Sequence, residues 1–159
     1  MSASIVRVIA LGSPHGGDDE AALRAAAALA AGSGGAFEVT IAGRPGVGLV
    51  DLLAGDAPVL LLDVVRSGAR PGAVVDVSLT SLVDRSLPLD PVSSHGFGPA
   101  EALRLACALG RPTPRGRFVG VEGQRFEVGA PLSPEVEASL PEMIAAARQA
   151  ISALSRGEA

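Results

Sequence analysis

Apolar residues along the chain gather in short runs, and glycine- and proline-rich turns separate them. Ile5, Val6, Val8, Ile9 and Leu11 make a β-rich run ending at Gly12, interrupted only by Arg7, which predicts a buried strand. A helix is expected over Ala21 to Ala31, with Leu23 and Leu29 among alanines, stopped by Gly32-Ser33-Gly34-Gly35. Phe37 to Ile41 reads as a second strand, followed by the glycine-rich loop Gly43 to Gly48 and a short helix carrying Leu49, Val50, Leu52 and Leu53. Pro58 to Leu62 is the most apolar run and suits a central parallel strand covered on both faces, with Asp63 at its carboxyl end. After the Gly68–Gly72 turn, Val74, Val75, Val77 and Leu79 predict a further strand at an edge. Thr80 to Ser94 has no clear period and carries Pro88 and Asp90-Pro91, so it reads as a long loop.

A helix then opens cleanly. Gly98 can cap it, Pro99 suits its first position, and Glu101 lies near its positive dipole end. Leu103, Ala106 and Leu109 share its apolar stripe, and Gly110 stops it. Phe118, Val119 and Val121 predict a last central strand, with Phe126 and Val128 in a short extension. Ser133-Pro134-Glu135 opens a helical turn, and Ser139-Leu140-Pro141-Glu142 has capping-box spacing that starts a final helix with Met143, Ile144, Ala147 and Ile151. Strands alternating with helices predict an α/β fold: a three-layer sandwich with a mostly parallel, twisted sheet of about five strands and helices on both faces. No linker divides the chain, so residues 1–159 are expected to form a single domain.

Composition narrows the function classes. With 48% hydrophobic and 19% charged residues the chain is globular, and with 3% aromatics its core must be built from Ala, Val, Leu and Ile. The absence of Trp and Tyr and a net charge of -4 argue against nucleic acid as partner. Cys107 is the sole cysteine, which excludes an intramolecular disulfide and a multi-cysteine zinc site; it is expected to be a small apolar helix residue. No stretch has the pattern of a secretory leader or the length of a membrane span, so a cytoplasmic protein is expected.

The chemistry concentrates in loops that follow strands. The first loop, Gly12-Ser13-Pro14-His15-Gly16-Gly17-Asp18-Asp19-Glu20, resembles a phosphate cradle only in its glycines. Three carboxylates at the helix start would repel phosphate and themselves satisfy the helix dipole. Helix capping explains one or two acids, but three in succession oppose one another and invite a functional reading. Asp63 closes an apolar strand, at the edge of the sheet where ligands bind in open α/β folds. His95 ends the long loop just before a helix, whereas His15 lies inside the glycine loop. Each has a plain alternative: Asp63 as a turn cap, His95 bonded to Ser93, Ser94 or the Gly98 turn, His15 in solvent. Asp19, Asp63 and His95 nevertheless fall on the same expected sheet edge and form an O,O,N set suited to a divalent metal such as nickel, zinc, manganese or iron. A Ser94-His95-Asp63 hydrolase is disfavoured, because no Gly-x-Ser-x-Gly elbow exists and adjacent side chains rarely meet productively.

The order and spacing of these motifs resemble the hydrogenase maturation endopeptidases, which trim the C-terminus of the large subunit of nickel–iron hydrogenases. The opening loop looks like that family's Gly-Asn-Pro-x-x-Gly-Asp-Asp/Glu. Leu61-Leu62-Asp63 with Gly68-Ala69-Arg70-Pro71-Gly72 looks like its acid-terminated strand and Gly-x-x-Pro-Gly turn. Ser94 to Leu103 is similar to its histidine loop and following helix, and Val119-Gly120-Val121-Glu122 and Gly129 to Val136 resemble its C-terminal part. The resemblance implies a nickel-dependent endopeptidase acting on the hydrogenase large-subunit precursor. Asp19, Asp63 and His95 would be its metal and catalytic residues. The nickel would be supplied by the precursor, and other divalent metals could substitute in vitro. The chain departs from the family pattern at Ser13, at Glu20 and Ala22, and at Ile41 and Arg44, which stand where an Asp and a Thr are usual. The departures in the second loop bear on substrate choice. Two other readings stay open: a non-catalytic binder of a hydrogenase precursor or assembly partner, and a metallohydrolase with another peptide substrate.

Overall fold

The computed structural model describes residues 4–84, 92–93 and 97–158. Among the described residues six strands make one sheet: β1 (Val6–Leu11), β2 (Phe37–Gly43), β3 (Val59–Arg66), β4 (Val74–Ser78), β5 (Val92–Ser93) and β6 (Gly116–Glu122). Their order is β2-β1-β3-β6-β4, with β5 pairing beside β3. The β1–β2, β1–β3 and β3–β6 pairs are parallel; β4 is an antiparallel edge strand on β6, and β5 runs antiparallel to β3.

The helices are α1 (Ala21–Ala31), α2 (Leu49–Leu52), α3 (Leu79–Val83), α4 (Pro99–Ala108) and α5 (Pro134–Ser155). Strand parity divides the apolar residues between two cores. Val6, Val8 and Ala10 of β1 and Leu60, Leu62 and Val64 of β3 face α1 and α5, where Leu29, Met143 and Leu154 pack. Ile9 and Leu11 of β1 and Val59, Leu61 and Val65 of β3 face α2, α3 and α4, where Leu49, Leu79 and Leu103 pack. This is the expected three-layer α/β sandwich. Its central strands are continuous apolar runs because both faces are covered.

Local readings differ in five places. β3 runs on to Arg66, so Asp63 lies inside the strand, paired with Gly120 of β6, and not at the strand's end. The Thr80–Ser94 stretch contains the end of α3 and the two residues of β5; its positions 85–91 and 94 lie outside the described residues. Phe126 and Val128 form no strand; residues 123–127 are irregular because an acid of the first loop holds them, as described below. The expected break before Ser139 is absent, and α5 passes straight through Pro141. Pro141 and Glu137 are both exposed, so the Glu137 carbonyl that loses its donor meets water, while Val136, Met143, Ala147 and Leu154 keep the helix seated. Finally, α4 ends at Ala108; Leu109 is exposed just past it, and Cys107 is exposed instead of packed. Among the described residues no helix is long and apolar enough to cross a membrane.

Candidate functional site

The site lies where β1 ends. Gly12 has φ 140°, and a Cβ there would lie 2.0 Å from the Asp19 carbonyl oxygen, so the chain can fold back on itself only with glycine at this position. The Ser13 N–H donates to that same carbonyl at 3.2 Å. A single 3-10 turn, Gly17–Glu20, then leads into α1 and carries all three acids. The structure gives each a different occupation.

Asp18 is wholly buried and accepts four hydrogen bonds from the far end of the chain. Its Oδ2 accepts from the N–H groups of Gln124 (2.8 Å) and Arg125 (2.9 Å) and from the Ser133 hydroxyl (2.9 Å); its Oδ1 accepts from the Ser133 N–H (2.6 Å). It therefore anchors residues 124–133 against the first loop, and the Gly129 N–H adds a bond to the His15 carbonyl at 2.8 Å. Glu20 pairs with Arg24 one turn along α1 at 3.6 Å. Its departure from the family pattern is thus absorbed on the helix surface.

Asp19 is also wholly buried, and its Oδ2 lies 2.9 Å from Nη2 of Arg44, whose side chain is 53% exposed. Arg44 sits in the loop after β2, brought alongside because the Gly12 N–H donates to the Gly43 carbonyl. The contact between these two loops was not legible in the sequence, where Arg44 showed only as an oddity.

Asp63 is buried on the neighbouring strand, with the parity of Leu61 and Val65, and so on the α2–α4 face. Among the described residues its side chain accepts one hydrogen bond, from the Val64 N–H to Oδ1 at 2.8 Å. Burial pushes its carboxyl up to about 7; the Val64 N–H opposes this and the nearby Asp19 charge adds to it. The two acids are therefore close enough to feel one another, Asp19 from the turn that follows β1 and Asp63 from the adjacent strand β3. Two buried carboxylates that repel suit a divalent cation between them, and in that respect these residues fit a metal. His95 lies outside the described residues. It falls three residues before Gly98, whose N–H is held by the Glu101 carboxylate at 2.9 Å at the start of α4, on the face of the sheet that carries Asp63. Among the described residues no cluster of three or more metal-ligating side chains occurs.

Glu122, at the end of β6, was missed as a polar anchor. It is buried, and its Oε1 accepts from the Ser67 and Gly68 N–H groups at 2.9 and 3.0 Å, which fixes the turn after β3.

The raised carboxyl of Asp63 has a consequence for stability. In the unfolded chain it titrates near 3.8, in the folded protein near 7, so between these values the folded state binds more protons. Stability should therefore fall as pH rises through this window, by on the order of 4 kcal/mol from this group alone. Asp63→Asn removes the titration and should stabilise the metal-free protein at pH 8 by on the order of 2 kcal/mol. Urea unfolding in EDTA at pH 5 and pH 8 checks this; equal pH slopes for variant and wild type would contradict it.

The chain matches the family model for the hydrogenase maturation protease HycI over residues 26–150, a span that contains Asp63 and His95 and begins after Asp19. It is similar in structure to the [NiFe] hydrogenase maturation protease HybD from Thermococcus kodakarensis, with 25% identity, a TM-score of 0.71, and coverage of 91% of this chain and 97% of that one. It also has the fold of the hydrogenase maturating endopeptidase HybD from E. coli, at 20% identity and a TM-score of 0.73, covering 96% and 93% of the two chains. A comparison with curated proteins finds no match.

Proposed function

The chain belongs to the hydrogenase maturation protease family, and on that premise we propose that it is an endopeptidase that removes the C-terminal extension of a nickel-loaded hydrogenase large-subunit precursor, acting as one cytoplasmic domain. The observation that carries the site assignment is the pair of buried, mutually repelling carboxylates, Asp19 in the turn after β1 and Asp63 on the adjacent strand β3. With His95 they would supply two oxygens and one nitrogen to nickel arriving with the precursor. Held there, nickel would mark the substrate and would supply Lewis-acid polarisation of the scissile carbonyl or of a water.

The chain's own residues do the rest. Gly12 and the 3-10 turn hold Asp19 at the edge of the sheet. Asp18 fixes the loop from the other side by binding residues 124–133. The interior of β3 holds Asp63 on a strand, where it has less freedom than on a loop. With no cation beside it the buried Asp63 carboxyl can hold a proton near neutral pH, and it would give that proton up when a cation binds.

The test is incubation of the purified protein with nickel-loaded and nickel-free precursor, followed by intact mass. Loss of the C-terminal peptide from the nickel-loaded form alone is expected. Stable binding of the loaded precursor with no cleavage would favour the non-catalytic reading, and cleavage of both forms alike would remove nickel from the account.

A further inference from the structure

We propose that Arg44 is a tethered cation that guards the Asp19 carboxylate against free divalent metal, so that the site favours a metal presented by a precursor over one from solution. The proposal rests on the reading of Asp19 as a metal-contacting group.

The geometry is that of a plug. The Asp19 carboxylate is wholly buried, while the Arg44 side chain reaches it from solvent and remains half exposed. Its Nη2 donates to Asp19 Oδ2 at 2.9 Å, and among the described residues this is the one carboxylate that Arg44 pairs with. The passage is kept open by Gly16: a Cβ there would lie 3.1 Å from the Asp19 Cβ and 3.4 Å from Arg44 Nη2, crowding both partners. Glu20, the other acid nearby in sequence, is already engaged by Arg24 and does not draw Arg44 away.

Two properties of arginine make this a selective barrier. A guanidinium does not lose its proton in a protein, so the plug cannot be titrated off. Its side chain is already half exposed, so it can swing out without disturbing the core. A free metal ion must break the ion pair using its own affinity for the carboxylates alone. A metal carried by a precursor brings the whole protein–protein contact, and it can displace the guanidinium with that additional binding. The departure at position 44 is then a device for discriminating between nickel in solution and nickel in place.

The measurement is isothermal titration calorimetry with nickel chloride on the full-length, metal-free protein. Arg44→Ala should bind nickel roughly tenfold more tightly than wild type, which corresponds to about 1.4 kcal/mol. Arg44→Lys, which keeps the charge, should stay near wild type, and adding Asp19→Asn to Arg44→Ala should abolish the gain. Equal or weaker nickel binding by Arg44→Ala, or no measurable binding by either protein, overturns the proposal. Circular dichroism checks folding, and Arg44→Gln, which keeps the stem and a hydrogen-bond donor, gives the same comparison should the alanine variant not fold. Equal nickel affinities with normal precursor cleavage would remove the plug and leave the endopeptidase standing. A tenfold gain with no cleavage by wild type would do the reverse.

Discussion

Asp18→Ala should lower the stability of the protein by about 4 kcal/mol. The buried carboxylate satisfies three backbone N–H groups and one hydroxyl, and alanine leaves all four without an acceptor. Each buried donor left unsatisfied costs roughly 1–3 kcal/mol, and water entering the space recovers part of the sum. Asp18→Asn should be less severe but still costly, because its amide group must place a donor where the carboxylate accepted from backbone N–H groups on both of its oxygens. Urea unfolding gives the value, and a loss below about 1 kcal/mol would show that Asp18 does not carry the anchor. The same substitution should loosen the first loop, because residues 124–133 and residues 12–20 hold one another through it.

Asp19→Asn and Asp63→Asn should each slow cleavage of nickel-loaded precursor by about a thousandfold, equivalent to roughly 4 kcal/mol at the transition state. Asparagine preserves shape. At position 19 its oxygen can still accept from Arg44, and at position 63 it can still accept from the Val64 N–H. What disappears is the negative charge that would contact nickel. The Asp63 case separates function from folding. Its carboxylate is held buried against its solvation, so the amide should give a more stable protein that does not cut, a trade expected where a site is built at the cost of stability. Single-turnover rates measured by intact mass test this. A rate within about tenfold of wild type would take the residue out of the site.

The layered fold was legible because its signals are local. Val, Leu and Ile runs bounded by glycine mark β1 and β3, and period-2 parity then divides their side chains between two cores. The nearness of Asp19 and Asp63 followed from strand order, since the loop after β1 and the strand β3 are neighbours, although Asp63 lies inside β3 and not at its end. What failed depended on distant partners. β3 extends beyond Asp63 because Val121 and Glu122 of β6 and the two residues of β5 continue its pairing; Val64 and Val65 suit a strand, but the charged Asp63 before them reads as its end. The proline in α5 looked like a boundary, but an uninterrupted buried face overrode it.

The two adjacent aspartates make the same point at the scale of single side chains. Asp18 and Asp19 are identical in type and equally buried. One became an anchor because amides more than a hundred residues away converge on it. The other faces Arg44, a residue that the sequence offered only as a break in a pattern. Their roles are set by what reaches them, and a one-dimensional reading has access to that only through the resemblance to a family.

If Asp19 and His95 belong to the site that cuts a nickel-loaded precursor, that precursor should survive their joint loss. Intact mass spectrometry of that precursor, after incubation with wild type and with the Asp19→Asn, His95→Ala double variant, tests it most directly. Wild type should remove the C-terminal peptide, and the double variant should leave the precursor whole. Normal cleavage by the double variant would contradict it.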